Sequence, residues 1–302
     1  VETGAPTGHN LAIPAYQLVT ITAGGEDVEA TFTNPRKPAS VVITKTDDAV
    51  PPNLLSGATF TLYTDDDPPE YDAGDTDIAG SCTTIADGTC TISNILPPGD
   101  YCLVETGVPT GYSAASPQCF ALALDQNKSV RLVDPRHTGA IKITKTRKHA
   151  ASGSGDYPHA GVKFTITGGE LVAPGTEVTT DANGTACLGG LVLSSHVGGY
   201  TVTETVPTNY VADGNASKSV LVTQVATCGS GNEDPVAFSN TPLTNITVSV
   251  DSLVDGGTKS TIHCVIQGGA SVGSVDPAQE DPTLNLTNKL PGTYVCTIFV
   301  DP

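Results

Sequence analysis

The feature that most constrains this chain is an internal repeat of about one hundred residues. The run SVVITKT at 40–46 returns as AIKITKT at 140–146, and YCLVETGVPTGY at 101–112 returns as YTVTETVPTNY at 200–210. The segment ends also correspond: VEATFTNPRK (28–37), SVRLVDPRH (129–137) and PVAFSNTPL (235–243). The chain opens on VETGAPTG at 1–8, a copy of the tail of the second motif. These matches divide it into a partial repeat (1–37), two whole repeats (38–137 and 138–242) and a shorter terminal module (243–302). A fold for this chain must therefore close within one repeat and tolerate being strung in series. The short Pro-containing junctions after Asn34, Asp134 and Asn240 imply stiff head-to-tail stacking.

The repeating runs are rich in Val, Ile and Thr and alternate in polarity, as a half-buried strand does. Turn signals at Asp87-Gly88, Pro98-Gly99 and Asn183-Gly184 separate them, and helical periodicity is nearly absent. The fold class is all-β, as tandem sandwich domains. Alternation also assigns faces. Val41, Ile43 and Lys45 share one face of the first strand, as do Ile141, Ile143 and Lys145 in the second repeat. Val42, Thr44 and Thr46 point the other way. The face with two branched apolar residues is the buried one, so each lysine points inward, which is rare unless it is paired. By the same test Tyr101, Leu103 and Glu105 face inward, and so do Tyr200, Val202 and Glu204. The last strands add Asp134, beside Val130 and Leu132, and Asn240, beside Val236 and Phe238.

Each whole repeat thus directs an amine, a carboxyl and a carboxyl or carboxamide into one apolar interior. Burial disfavours charge, so it favours a neutral, nucleophilic amine and a protonated carboxyl able to polarise a carbonyl. Held beside a side-chain acid or amide, such an amine can attack Cγ, and proximity can supply about 7–11 kcal/mol toward the barrier. The product is an isopeptide bond: Lys45 with Asp134 would release water, and Lys145 with Asn240 would release ammonia. Glu105 and Glu204 would shuttle protons. This is a single maturation event per site and not enzyme turnover; the alternative is an unlinked buried ion pair.

The order ITKTD, LSGATFTLY, YCLVETGVPTGY, RLVDP in the first repeat resembles the SpaA/Cna-B prealbumin-like repeats of Gram-positive surface proteins and pilins. The resemblance covers most of 38–242 and the tail-end fragment 1–37. It implies prealbumin-like, Ig-like β-sandwiches and spontaneous Lys45–Asp134 and Lys145–Asn240 cross-links promoted by Glu105 and Glu204. The second repeat departs at AGVKFTIT and at PTNY but keeps all three site residues. The opening fragment keeps Glu2 and the acceptor Asn34 with no lysine, as if its repeat began upstream of Val1. In the terminal module Val250 and Ile298 stand where lysine and glutamate belong, a joint loss of the cross-link, and a Cys264–Cys296 disulfide would staple it instead.

The eight cysteines show no CxxC pair and no zinc spacing, which points to disulfides and an oxidising compartment. Repeat locality favours Cys82–Cys90, Cys102–Cys119 and Cys187–Cys228 besides Cys264–Cys296. The acidic run 65–77 lacks the spacing of a calcium loop and reads as solvated, and His149 and His159 fall in a Gly/Ser-rich loop, so no metal and no cofactor is expected. Sequons at Asn127, Asn183, Asn215, Asn245 and Asn285 are near chance in so Thr-rich a chain. With 14 Lys+Arg against 32 Asp+Glu, nucleic-acid binding is excluded as an expectation, and no apolar run suits membrane insertion. The function expected is a structural stalk or fibre segment at the cell surface, its partners neighbouring subunits or upstream repeats. The alternative is an adhesin or a pilin-like filament subunit. A carbohydrate-binding module would want exposed aromatic platforms, and the chain has no Trp.

Overall fold

Val, Ile and Thr crowd their own backbone and sit best on a pleated surface, and both whole repeats fold into strands. The structure is a computed structural model. It describes residues 1–302 except 23, 26, 68, 69, 149–155, 252–258, 277–280 and 302. Two compact units divide the chain, Val1–His137 and Thr138–Pro302.

The first unit contains β1 (Ala39–Asp47), β2 (Thr59–Thr64), β3 (Ile78–Thr83), β4 (Thr89–Ile95), β5 (Gly99–Gly107), β6 (Gln118–Leu122) and β7 (Lys128–Asp134). They form two sheets, β4-β1-β7 and β3-β2-β5-β6. The first strand pairs antiparallel with β4 and parallel with the last strand, β7. Val41 and Ile43 from β1 and Leu132 from β7 meet Phe60, Leu62 and Leu103 from the other sheet in one core. Alternation along β1 is nearly regular, with one departure from the sequence reading. Thr46 is buried although it lies on the outward face, because the Arg131 guanidinium reaches over it and donates to its Oγ1 at 3.1 Å.

Residues 1–37 form no strand among those described; their single ladder contact is a bridge between His9 and Arg36. The segment is held by Lys37 N donating to Gly8 O and Asn10 N to Pro35 O, both at 2.8 Å. Leu18 and Ile21 are exposed. A ladder needs a neighbouring strand, and none of the described residues supplies one.

The second unit opens with β8 (Thr138–Lys148), β9 (Asp156–Pro158), β10 (Lys163–Gly168), β11 (Thr176–Thr179) and β12 (Thr185–Val192). One helical turn, α1 (Ser194–Val197), precedes β13 (Tyr200–Thr205), β14 (Tyr210–Ala212), β15 (Ser217–Val220) and β16 (Asp234–Pro242). The sheets β12-β8-β16-β14, with β9 on β8, and β11-β10-β13-β15 repeat the plan of the first unit. Again the first strand lies parallel to the last, β8 against β16. The remaining strands are β17 (Thr244–Ser249), β18 (Lys259–Ile266), β19 (Ser271–Val275), β20 (Thr283–Lys289) and β21 (Tyr294–Asp301). They make a two-stranded sheet, β17-β20, and a three-stranded one, β19-β18-β21, around a small core of Ile262, Cys264, Leu284 and Leu286.

One turn in each whole repeat seats the lysine. Gly88 and Gly184 have φ of 71° and 70°, a region that side chains avoid, and their carbonyls accept Lys45 N at 2.8 Å and Lys145 N at 2.7 Å. A Cβ on Gly184 would lie 2.3 Å from the Lys145 carbonyl oxygen. Gly184→Ala is therefore expected to destabilise the second unit by about 1–3 kcal/mol or more in denaturant titration. Gly292→Ala, where no atom comes closer than 3.9 Å, should leave the midpoint in place.

Candidate functional site: two buried lysine clusters

In the first unit the parallel register sets Lys45 opposite Leu132, so Asp134, two residues on, shares the lysine's face. Glu105 arrives from the facing sheet, where it pairs with Phe60. Lys45 and Asp134 are fully buried and Glu105 nearly so. The Lys45 ammonium donates to Glu105 Oε2 at 2.9 Å and, more closely, to Asp134 Oδ1, with the Phe60 ring 5.5 Å from Nζ. Ala115 N donates to the same Glu105 oxygen at 2.8 Å. Burial pushes the Glu105 carboxyl above its usual pKa. Glu105 Oε1 and Asp134 Oδ2 have no hydrogen-bond partner.

The second unit builds the same arrangement with an amide. Lys145 faces Phe238 in register, and Asn240 follows two residues later; Glu204 pairs with Phe164 on the opposite sheet. Lys145 and Asn240 are fully buried, and Glu204 is buried. Asn240 Nδ2 donates to Glu204 Oε1 at 2.6 Å, and Lys145 Nζ lies 3.5 Å from that same oxygen. Nζ also donates to Thr146 O at 2.9 Å. Burial pushes the Lys145 pKa down. Asn240 Oδ1 and Glu204 Oε2 are unpartnered. One carboxylate oxygen thus touches both the amine and the nitrogen that an amide exchange would expel.

The opening fragment holds two members of a third such set. Asn34 Nδ2 donates to Glu2 Oε1 at 2.6 Å, and Ala12 N donates to Glu2 Oε2 at 2.7 Å, matching Ala115 on Glu105. Both side chains are only half-buried. In the terminal module Val250 packs against the small core. Ile298, where the pattern puts an inward glutamate, is instead 43% exposed. It lies on β21, an edge strand that only β18 flanks.

Disulfides join Cys82 to Cys90, Cys102 to Cys119, Cys187 to Cys228 and Cys264 to Cys296. The acidic run departs from a purely solvated loop: Asp65 and Asp75 are buried, and their oxygens and one of Asp67 lie within 4.8 Å of one another. The loop folds inward because Asp66 N and Asp72 N both donate to Asp75, a local geometry invisible in composition. Pro68 and Pro69 of that run, and His149, lie outside the described residues. Asn127 is a structural residue, its Oδ1 accepting from Ser40 N at 2.8 Å. Among the described residues no helix is long and apolar enough to cross a membrane.

Residues 39–136 match the family profile of the SpaA prealbumin-like fold domain. This part of the chain is a SpaA prealbumin-like domain. No curated protein matches the sequence. Among solved structures, the Bacillus anthracis TIE protein is similar at 20% identity and a TM-score of 0.47, covering 87% of this chain. The chain spans 46% of that protein's length. GBS52, the minor pilin of Streptococcus agalactiae, is similar at 17% identity and a TM-score of 0.30, over 68% of this chain and 97% of its own. The shaft pilin spaA of Lactobacillus rhamnosus GG is similar at 18% identity and a TM-score of 0.30, over 68% and 98%.

The SpaA domain's cluster is balanced only when complete. Lys45→Met would leave Glu105 and Asp134 as two buried acids without a cation, and should destabilise the first unit by about 3–5 kcal/mol in chemical denaturation. Replacing all three residues by apolar ones of similar volume should recover most of that loss.

Proposed function

We propose that this chain is a load-bearing segment of a stalk or fibre on an exported surface protein, its repeats locked by self-formed Lys45–Asp134 and Lys145–Asn240 isopeptide bonds. The observation that carries this reading is a fully buried lysine within reach of a glutamate that also holds, or sits beside, the acyl acceptor. In the second unit a proton passes from the Lys145 ammonium to Glu204, and the neutral Nζ attacks Asn240 Cγ. The protonated Glu204 then gives its proton to Nδ2, 2.6 Å away, the Cγ–Nδ2 bond breaks to release ammonia, and the carboxylate takes the surplus proton from the new amide nitrogen. In the SpaA domain the analogous attack on Asp134 expels an oxygen as water. Glu105, whose pKa burial raises, supplies in its protonated form the hydrogen bond that polarises the acid.

The consequence is mechanical. Each link ties the first strand of a repeat to its last, the two strands through which the chain enters and leaves. Tension then runs through a covalent bond and does not peel β1 from β7 or β8 from β16. Closing loops of about 90 residues also limits the unfolded state, worth about 4–5 kcal/mol each in the chain-entropy account. Four disulfides fit an extracellular setting. The test is the intact mass. Beyond the hydrogens lost to disulfides, the protein should be lighter by one ammonia and one water. Glu204→Ala should restore the ammonia alone, and Glu105→Ala the water alone. A full theoretical mass in the unmodified protein would refute the cross-links.

A further inference from the structure

The two reactions differ in their proton balance. Joining a lysine ammonium to a carboxylate gives an amide and water with no proton left over. Joining the same ammonium to a carboxamide gives an amide and ammonia, and one proton remains. Glu204 can hold a proton in transit, but a surplus proton left on it would stay in a closed core. Only the second unit therefore has a surplus proton to export.

The two repeats also differ at one position against the lysine. Leu55 N donates to Lys45 O at 3.0 Å, and the Leu55 carbonyl accepts from Thr84 Oγ1 at 2.8 Å. In the second unit His159 N donates to Lys145 O at 3.0 Å, and its carbonyl accepts from Thr180 Oγ1 at 2.7 Å. His159 thus occupies the place of Leu55. The register Thr146 opposite Pro158 makes His159 the cross-strand neighbour of Lys145, on the same inward face. Its ring packs against Tyr210 at 4.5 Å between centroids. Its Nδ1 is buried and has no hydrogen-bond partner, while the residue as a whole is partly exposed. A base with one nitrogen in the protein and part of its surface in water is suited to carry a proton outward. Burial, reinforced by the positive charges of Lys145 and Arg147, pushes the pKa of the ring down. The ionisable groups on the surrounding elements are Lys142, Lys145, Arg147 and Lys148 on β8, Asp156 and Tyr157 on β9, Tyr210 on β14, Asp213 just after it, Glu204 on β13 and Asp181 before β12.

We propose that His159 is the proton outlet of the Lys145–Asn240 site, a positioning residue that the water-releasing SpaA domain replaces with leucine. The balanced step takes the Lys145 ammonium, the Asn240 carboxamide and neutral His159 to the isopeptide bond, ammonia and protonated His159. The imidazolium then gives its proton to solvent. This inference rests on the cross-linking reading above and adds the residue that sets its pH response.

The experiment follows freshly synthesised full-length protein by intact mass, from about pH 5 to pH 8, where histidine changes charge. Ammonia loss should slow as the pH falls through the range in which His159 becomes protonated. Water loss at Lys45–Asp134, in the same molecules, serves as the internal clock. His159→Leu, which installs the first unit's own residue, should slow ammonia loss about tenfold or more at neutral pH and abolish that inflection, leaving water loss unchanged. His159→Gly should be slow and be rescued by added imidazole, a response that a packing role would not give. Ammonia loss with an unchanged rate and pH profile in His159→Leu would overturn the proposal while leaving the cross-link intact. No ammonia loss in the unmodified protein would instead overturn the cross-linking reading itself.

Discussion

A lysine with no exposed surface is the constraint on which both whole repeats depend. An ammonium in an apolar core costs far more than an ordinary fold can offset unless acceptors surround it. Every architectural choice around Lys45 and Lys145 supplies them. The parallel pairing of first and last strands brings an acid or amide two residues beyond the lysine's partner. The facing sheet brings a glutamate opposite a phenylalanine. Without these neighbours the lysine would have to leave the core, and the sandwich would lose the contact that joins its two sheets.

The same arrangement that makes the site tolerable is the one the proposed cross-link would use. Buried polar atoms left unpartnered, Asn240 Oδ1 and Glu204 Oε2 in one unit and Asp134 Oδ2 and Glu105 Oε1 in the other, are a standing cost. Forming an amide removes the amine's charge and ends part of that cost. The two clusters would reach this point by different routes. The SpaA domain presents an amine hydrogen-bonded to an acid, whereas the second unit presents a glutamate gripping the amide nitrogen that would depart. Glu2 and Asn34 reproduce the second grip at the same 2.6 Å with both side chains half-buried, so the geometry of that pair forms even where no core encloses it.

Strand alternation made much of this legible from residues alone. Because the side-chain period is two, the apolar pair Val41 and Ile43 settled the direction of Lys45, and the same logic placed Glu105, Asp134, Glu204 and Asn240 inside. Other features escaped that logic. Thr46 lies on an outward face yet is buried, since a long arginine from the neighbouring strand lies over it. Ile298 follows the inward pattern yet is exposed, since burial on an edge strand depends on how many strands flank and face it. The acidic loop looked solvated because charge counts do not register backbone donors turned toward Asp75.

The sequence by itself determined which residues could share a face, which segments were copies of one another, and which amines had no business in a core without partners. These follow from local backbone geometry and from the energetics of burying charge, which act within a few residues. Only the tertiary structure decided that the first and last strands run side by side and in parallel, and with what register, because that pairing joins residues almost a whole repeat apart. It alone placed His159, from a segment that reads as a nondescript loop, beside Lys145 where the other repeat has a leucine. Cross-strand neighbours are set by hydrogen-bond register between distant segments, and no periodicity within either segment encodes it.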